Sequence, residues 1–261
     1  MAISQDTVLA VLADSDEILY RIQKSDKRIV YIIVLDPNII PYDKRTYGPS
    51  AIEELSKLEV WNDPWTTLTV NSDSYGIFCH KDSMEPHAAP KESLLQDYPR
   101  CDLSNLSILQ ELKSRTFEVT HNQGCSIFKM ARFPHELPWL MQEMHIYHAL
   151  AGFPLTPKLL GYVFESHCPD RIVGILLEKL NGRWAQSEDL EECDNALQRL
   201  HQHVLHGDLN KHNIIITSEG PKFIDLESSV LSGPDNVELR KQERQKLGTK
   251  LADTSGEGRP W

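Results

Sequence analysis

A mixed α+β fold is predicted for this chain from three observations. Short runs rich in β-branched residues recur in hairpin-sized pairs, each broken by turn residues such as Lys24-Ser25-Asp26-Lys27 and Ser218-Glu219-Gly220-Pro221. Residues 134–149 and 187–203 instead space their apolar side chains as helices do. From about Leu103 onward the elements follow the order strand, strand, strand, helix, strand, strand.

Taken in order, residues 17–23 and 28–37 read as strands around the Lys24–Lys27 turn, and a short helix is expected over residues 50–58. Residues 66–70 and 75–79 form another predicted pair, turning at Asn71-Ser72-Asp73-Ser74. Residues 81–104 are rich in Pro, Ser and charge and read as a connecting loop. Three strands follow at 106–112, 116–120 and 126–131, the last two joined at His121-Asn122-Gln123-Gly124. The helix over 134–149 carries Leu140, Met144, Tyr147 and His148 along one side. Strands are expected at 158–164 and 172–178. A second helix then opens at Ser187 as N-cap, with Glu188, Asp189 and Glu191 where the helix dipole favours acids. Residues 237–251 form a charged helix, and residues 252–261 read as a frayed tail.

At 261 residues the chain can bury a sizeable core, and it divides into a β-rich N-terminal region (1–102) and a second domain (103–261). Its 40% hydrophobic and 25% charged residues suit a soluble globular protein. A net charge of −11 argues against a broad, sequence-independent grip on nucleic acid, although a local basic patch among Arg240, Lys241, Arg244, Lys246 and Lys250 stays open. The first six residues turn polar almost at once, so no secretory signal is expected. The longest apolar runs are too short to span a membrane. Cys79, Cys101, Cys125, Cys168 and Cys193 are odd in number and lack C-x-x-C spacing, which predicts reduced thiols in a cytoplasmic protein.

The chemistry concentrates in His206-Gly207-Asp208-Leu209-Asn210-Lys211-His212-Asn213, then Ile214-Ile215-Ile216-Thr217, a turn, and Ile224-Asp225-Leu226-Glu227. A hairpin here brings Asp208 and Asn213 close to Asp225. An acid, an amide and a second acid at one mouth are what phosphoryl transfer asks for: Asp208 to take the proton of the attacking hydroxyl, Asn213 and Asp225 to hold Mg²⁺ against phosphates. Upstream, Lys129 sits in the apolar strand Ile127-Phe128-Lys129-Met130, a costly place for an ammonium unless it meets anions or its stem packs while its head reaches water.

On these residues the chain resembles the protein-kinase-like superfamily, over about residues 103–251. The resemblance implies a bilobal fold with a small lobe at about 103–178 and a minimal large lobe at about 183–251. It pairs Lys129, on the α- and β-phosphates of ATP, with Glu143 on the following helix. The hinge would lie in Gly174-Ile175-Leu176-Leu177-Glu178-Lys179-Leu180-Asn181-Gly182, with the main chain of Glu178 and Leu180 on the adenine edge and Leu176 as gatekeeper. Gly after His206 is typical of aminoglycoside- and choline-type phosphotransferases. The Asp-Leu-Asn-x-His-Asn wording is similar to the Kdo kinase family and to kinase-like proteins of fungal genomes.

Three departures matter. Leu112-Lys113-Ser114-Arg115-Thr116 stands where a glycine-rich loop is expected, so any phosphate grip there falls to Lys113, Ser114 and Arg115. Asp225-Leu226-Glu227 replaces D-F-G, leaving Glu227 either a second acid at the metal or a solvated loop residue. Few residues follow Asp225, which leaves no room for a protein-substrate subdomain. The reading is an ATP- and Mg²⁺-dependent phosphotransferase acting on a small-molecule hydroxyl. The alternative is a kinase-like scaffold without kinase activity, repurposed for another transfer on an activated substrate. The N-terminal region is expected to help form the acceptor or partner site, because so short a large lobe cannot build one alone.

Overall fold

The computed structural model describes residues 6–121, 124–256 and 258–259; Asn122 and Gln123 of the expected 121–124 turn lie outside them, as do Met1 to Gln5 at the chain start and Glu257, Pro260 and Trp261 of the expected tail. The fold is mixed α+β and divides into two compact units. The first takes the chain through Ala88 together with Arg132–Pro134, and the second takes Ala89–Ala131 and the chain from His135 onward.

In the first unit, β1 (Thr7–Ala13), β2 (Ile18–Gln23), β3 (Ile29–Val34), β4 (Thr67–Asp73) and β5 (Gly76–Lys81) form one sheet in sequence order. All neighbours are antiparallel except β3 and β4, which run parallel across α1 (Gly48–Leu55). The central strands β2 and β3 are apolar almost throughout because both faces are covered. Tyr20, Ile18, Ile22, Leu68 and the two tryptophans Trp61 and Trp65 make the core. The helix starts two residues before the expected Ser50, since Pro49 fits a first turn where its missing N–H costs nothing.

The second unit opens with β6 (Arg100–Asp102), a three-residue strand from the stretch expected to be a loop. Next come β7 (Ser107–Lys113), β8 (Thr116–His121), β9 (Gly124–Met130), α2 (Leu137–Ala149), β10 (Leu159–Phe164) and β11 (Ile172–Glu178). Their sheet order is β6-β10-β11-β9-β8-β7, with β6 parallel to β10 and the rest antiparallel. Strands β6 and β7 thus occupy opposite edges, yet only residues 103–106 join them. Such a link spans at most roughly 18 Å, whereas five strand spacings in a flat sheet amount to about 24 Å. The sheet therefore curls until its edges approach, and Val119, Phe128, Met130, Val163 and Leu176 pack together on one of its faces. The other face carries Lys129, Ile127, Ile175 and Leu177, paired across β9 and β11.

The chain then forms β12 (Arg183–Trp184), α3 (Leu190–Leu200), β13 (Val204–Leu205), β14 (Ile214–Thr217), β15 (Gly220–Phe223), β16 (Val230–Leu231) and α4 (Val237–Ala252). Strands β12, β14 and β15 make a small sheet, and β13 pairs with β16. The expected N-cap Ser187 lies inside a 3-10 turn opened by Gln186. The cap shifts because the Asp189 carboxylate reaches back to the Gln186 N–H at 2.8 Å while pairing twice with Arg183 at 2.7 Å. All five cysteines are free, and among the described residues no helix is long and apolar enough to cross a membrane. Within the basic group on α4, Arg244 is bound to Asp194 by two hydrogen bonds and Arg240 donates to Ser232 and Gly233.

Candidate functional site

A cleft of about 460 Å³ lies in the second unit, lined by the curled sheet, by α2 and by the β14–β15 hairpin with its flanking loops. Its apolar walls are Leu112, Ile127, Leu177, Ile215 and Ile224, and Trp184 and His212 stand at one side with ring centroids 5.8 Å apart.

Alternation along β9 turns Lys129 into this cleft, opposite Ile175 in register. Its Nζ meets both oxygens of Glu143, one helix over on α2, at 2.8 Å, and Oδ1 of Asp225 at 2.5 Å. The other oxygen of Asp225 accepts from Lys113 Nζ at 2.9 Å. Arg115, in the β7–β8 turn, donates to Glu227 at 2.6 Å. Glu143, Asp225 and Glu227 bring carboxylate oxygens within 4.8 Å of one another, so three acids share three cations. Burial would discharge Lys129, but Glu143 and Asp225 outweigh it and hold the ammonium above the usual lysine range. Burial would also raise the Asp225 carboxyl, yet Lys129 and Lys113 keep it below the usual carboxylate range. Glu143 is pushed up by its burial, and Lys129 reverses this only in part. Asp225 adopts a left-handed backbone (φ 64), a conformation that costs free energy and clusters at functional sites.

The loop carrying Asp208 is braced from several sides. His206 is buried; its Nε2–H donates to the Ile224 carbonyl at 3.0 Å and its Nδ1 accepts from the Asp208 N–H at 3.3 Å. Burial pushes its pKa down, which keeps the ring neutral in this bracing role. Gly207 has φ 86, and a Cβ there would lie 2.2 Å from the Ser228 carbonyl oxygen, so the residue after His206 is a glycine for want of space. The Gly207 and His206 N–H groups donate to the Glu243 carboxylate at 2.9 and 3.3 Å, and His201 binds the same carboxylate at 2.7 Å. Burial would raise Glu243, but these hydrogen bonds hold it below its ordinary range.

Asn213 donates through Nδ2 to the Asp208 carbonyl at 2.8 Å and to its carboxylate at 3.3 Å. Its Oδ1 is buried without a partner among the described residues. The backbone bond from Ile224 N–H to the Asn213 carbonyl, 3.0 Å, ties this loop to the strand before Asp225. The Tyr147 hydroxyl, in the cleft wall on α2, is likewise buried and unpartnered among those residues. Its pKa is raised by burial and then by the carboxylates of Glu143 and Asp225.

Of the residues singled out from sequence, Lys129, Glu143 and Asp225 meet directly, Asp208 and Asn213 meet on one loop, and Glu178 and Leu180 line the cleft. The Leu180 N–H and C=O make no hydrogen bond among the described residues. Leu176 is not in the cleft. It pairs with Phe128 and packs on the opposite sheet face, and Leu177 occupies the cleft position, because successive strand residues point to opposite faces. Sequence reading also missed Glu243, which sits in a charged helix where one more acid looks like a solvated face. No family model matches the chain, and no curated protein does either.

Proposed function

We propose that the second unit is a protein-kinase-like phosphotransferase that uses ATP and Mg²⁺ to phosphorylate a hydroxyl of a small molecule. The observation that carries this reading is the buried Oδ1 of Asn213, unpartnered among the described residues, held beside Asp208 and joined by one backbone hydrogen bond to Ile224, the residue before Asp225. An orphaned buried acceptor is costly, and a cation ligand is the partner that an amide oxygen near a carboxylate suits best. The donor set therefore fits Mg²⁺, with Asn213 and Asp225 as the residues that would hold it. Bound there, the ion would neutralise charge on the phosphates.

Each remaining task falls to the chain's own side chains. Lys129, kept charged by Glu143, would hold phosphate oxygens once freed from Asp225. The free main-chain groups of Leu180 and the apolar walls of the cleft suit the edge and faces of a purine. Asp208, oriented by Asn213 and by the neutral His206 brace, would accept the proton of the acceptor hydroxyl as its oxygen bonds phosphorus and the bond to ADP breaks. One observation favours the rival, a scaffold that does not transfer phosphate: both oxygens of Asp225 are already taken by lysines.

A thermal-shift titration decides between them. Saturating Mg-ATP should stabilise the protein, by about 2.7 kcal/mol at a hundredfold excess over Kd, and EDTA or Asp225→Ala should abolish the effect. Saturable ATP binding indifferent to both treatments would sink the phosphotransferase and promote the scaffold.

A further inference from the structure

We propose that Lys113 is the residue that grips the polyphosphate in this cleft, and that Arg115 positions it by latching the tip of the β7–β8 hairpin. The proposal rests on the nucleotide reading above.

The hairpin tip is Lys113-Ser114-Arg115-Thr116, without glycine. Side chains at every position keep the main chain from wrapping an anion closely, so a grip must come from the side chains themselves. Arg115 is engaged three ways: its guanidinium donates to Glu227 at 2.6 Å and lies 5.1 Å over the Trp139 ring, and its carbonyl accepts from the Met130 N–H at 3.0 Å. It does not line the cleft. Lys113 does, and among the described residues its ammonium has one ion-pair partner, Asp225, at 2.9 Å. The tip is thus pinned through Arg115 and carries one cation that a single exchange of partners would release.

Charge makes that exchange favourable. The centre holds three cations and three carboxylates. A divalent cation at Asp225 competes with Lys113 for the same carboxylate and leaves the centre with surplus positive charge. A polyphosphate is the ligand that such a surplus selects, and Lys113, with its side chain about one-third exposed, is placed to meet it. Lys113 on Asp225 is on this account the resting position of the phosphate grip.

Calorimetric titration of the full chain with adenosine, ADP and ATP, each with Mg²⁺, tests this. Lys113→Met should weaken ADP and ATP about tenfold or more, the worth of one charge-assisted hydrogen bond, and leave adenosine unchanged. Lys113→Arg should restore most of the loss. Lys113→Gln, which retains a polar end, serves as a second variant should methionine disturb the fold. Arg115→Met should also weaken ATP selectively, because loss of the latch misplaces Lys113 without touching the base pocket. Unchanged ATP affinity in Lys113→Met would overturn the proposal, as would equal weakening of adenosine and ATP. Tighter ATP binding would overturn it too, making Lys113 a plug on the metal site. In all three cases wild-type binding would leave the nucleotide reading standing. Failure of the wild type to bind any of the three ligands would overturn both.

Discussion

The two units treat buried polar groups in opposite ways. In the first, Lys24 is buried but fully engaged: its ammonium meets Asp6 at 2.8 Å and the Trp61 carbonyl at 3.3 Å and lies 3.6 Å over the Trp61 ring. Asp6 in turn accepts from the Ser25 N–H and the Trp61 indole N–H. Among the described residues no buried side-chain polar atom of that unit lacks a partner. In the second unit, Asn213 Oδ1 and the hydroxyl of Tyr147 in the cleft wall have none among those residues, and Asp225 sits in a left-handed conformation. A network that closes on itself stabilises a fold. One that leaves a donor and an acceptor without protein partners forgoes the free energy they would gain by pairing.

Three substitutions press on that contrast. The largest effect is expected for Asp208→Asn, which preserves shape and its tie to Asn213 but removes the proton acceptor. Phosphorylation of an acceptor hydroxyl should slow by roughly 10² to 10⁴, with nucleotide affinity nearly unchanged, as steady-state kinetics would read. Normal turnover would place the open network outside catalysis. Lys24→Met tests the closed network: stability should drop by about 2 kcal/mol in denaturant melts, and nucleotide affinity should stay as it was. A parallel loss of affinity would erase the distinction between the two networks. The smallest effect belongs to Tyr147→Phe. Removing a buried hydroxyl that has no partner among the described residues should leave stability unchanged or raise it by up to about 1 kcal/mol. A loss of more than that in the same melts would show that the hydroxyl is already satisfied, and the contrast would lose one of its two supports.

How much of this was readable beforehand depends on how local each signal is. Asp208 and Asn213 lie on one short loop, and Lys129 stands out as a charge inside an apolar strand, so their neighbourhood could be read directly. The strand Ile172–Glu178 is apolar on both faces, so nothing in its own composition says which of Leu176 and Leu177 faces the cleft. That parity emerges only from its pairing with Lys129 on a different strand. Strand β6 was opaque for a related reason: three residues in a Pro-rich stretch find their partner some sixty residues away, and parallel pairing leaves little local trace. Strand β1 was hidden by its Leu and Ala content, which fits a helix as well. Whether a buried atom is orphaned, as in Asn213 and Tyr147, is a property of the assembled neighbours and has no sequence signature at all.

The short link between β6 and β7 reaches further than the sheet it closes. Because residues 103–106 hold the start of β7 to the end of β6, and β8 pairs with β9 along its length, the base of the β7–β8 hairpin is anchored to the sheet. Motion near the cleft is left to the turn and to the side chains it carries. Rotamer exchange of an exposed side chain takes picoseconds to nanoseconds, while lids and domains move in microseconds to milliseconds. A lysine changing partners on such a stiff mount would keep pace with ligand arrival, and the slow step of any turnover would have to be sought elsewhere in the molecule.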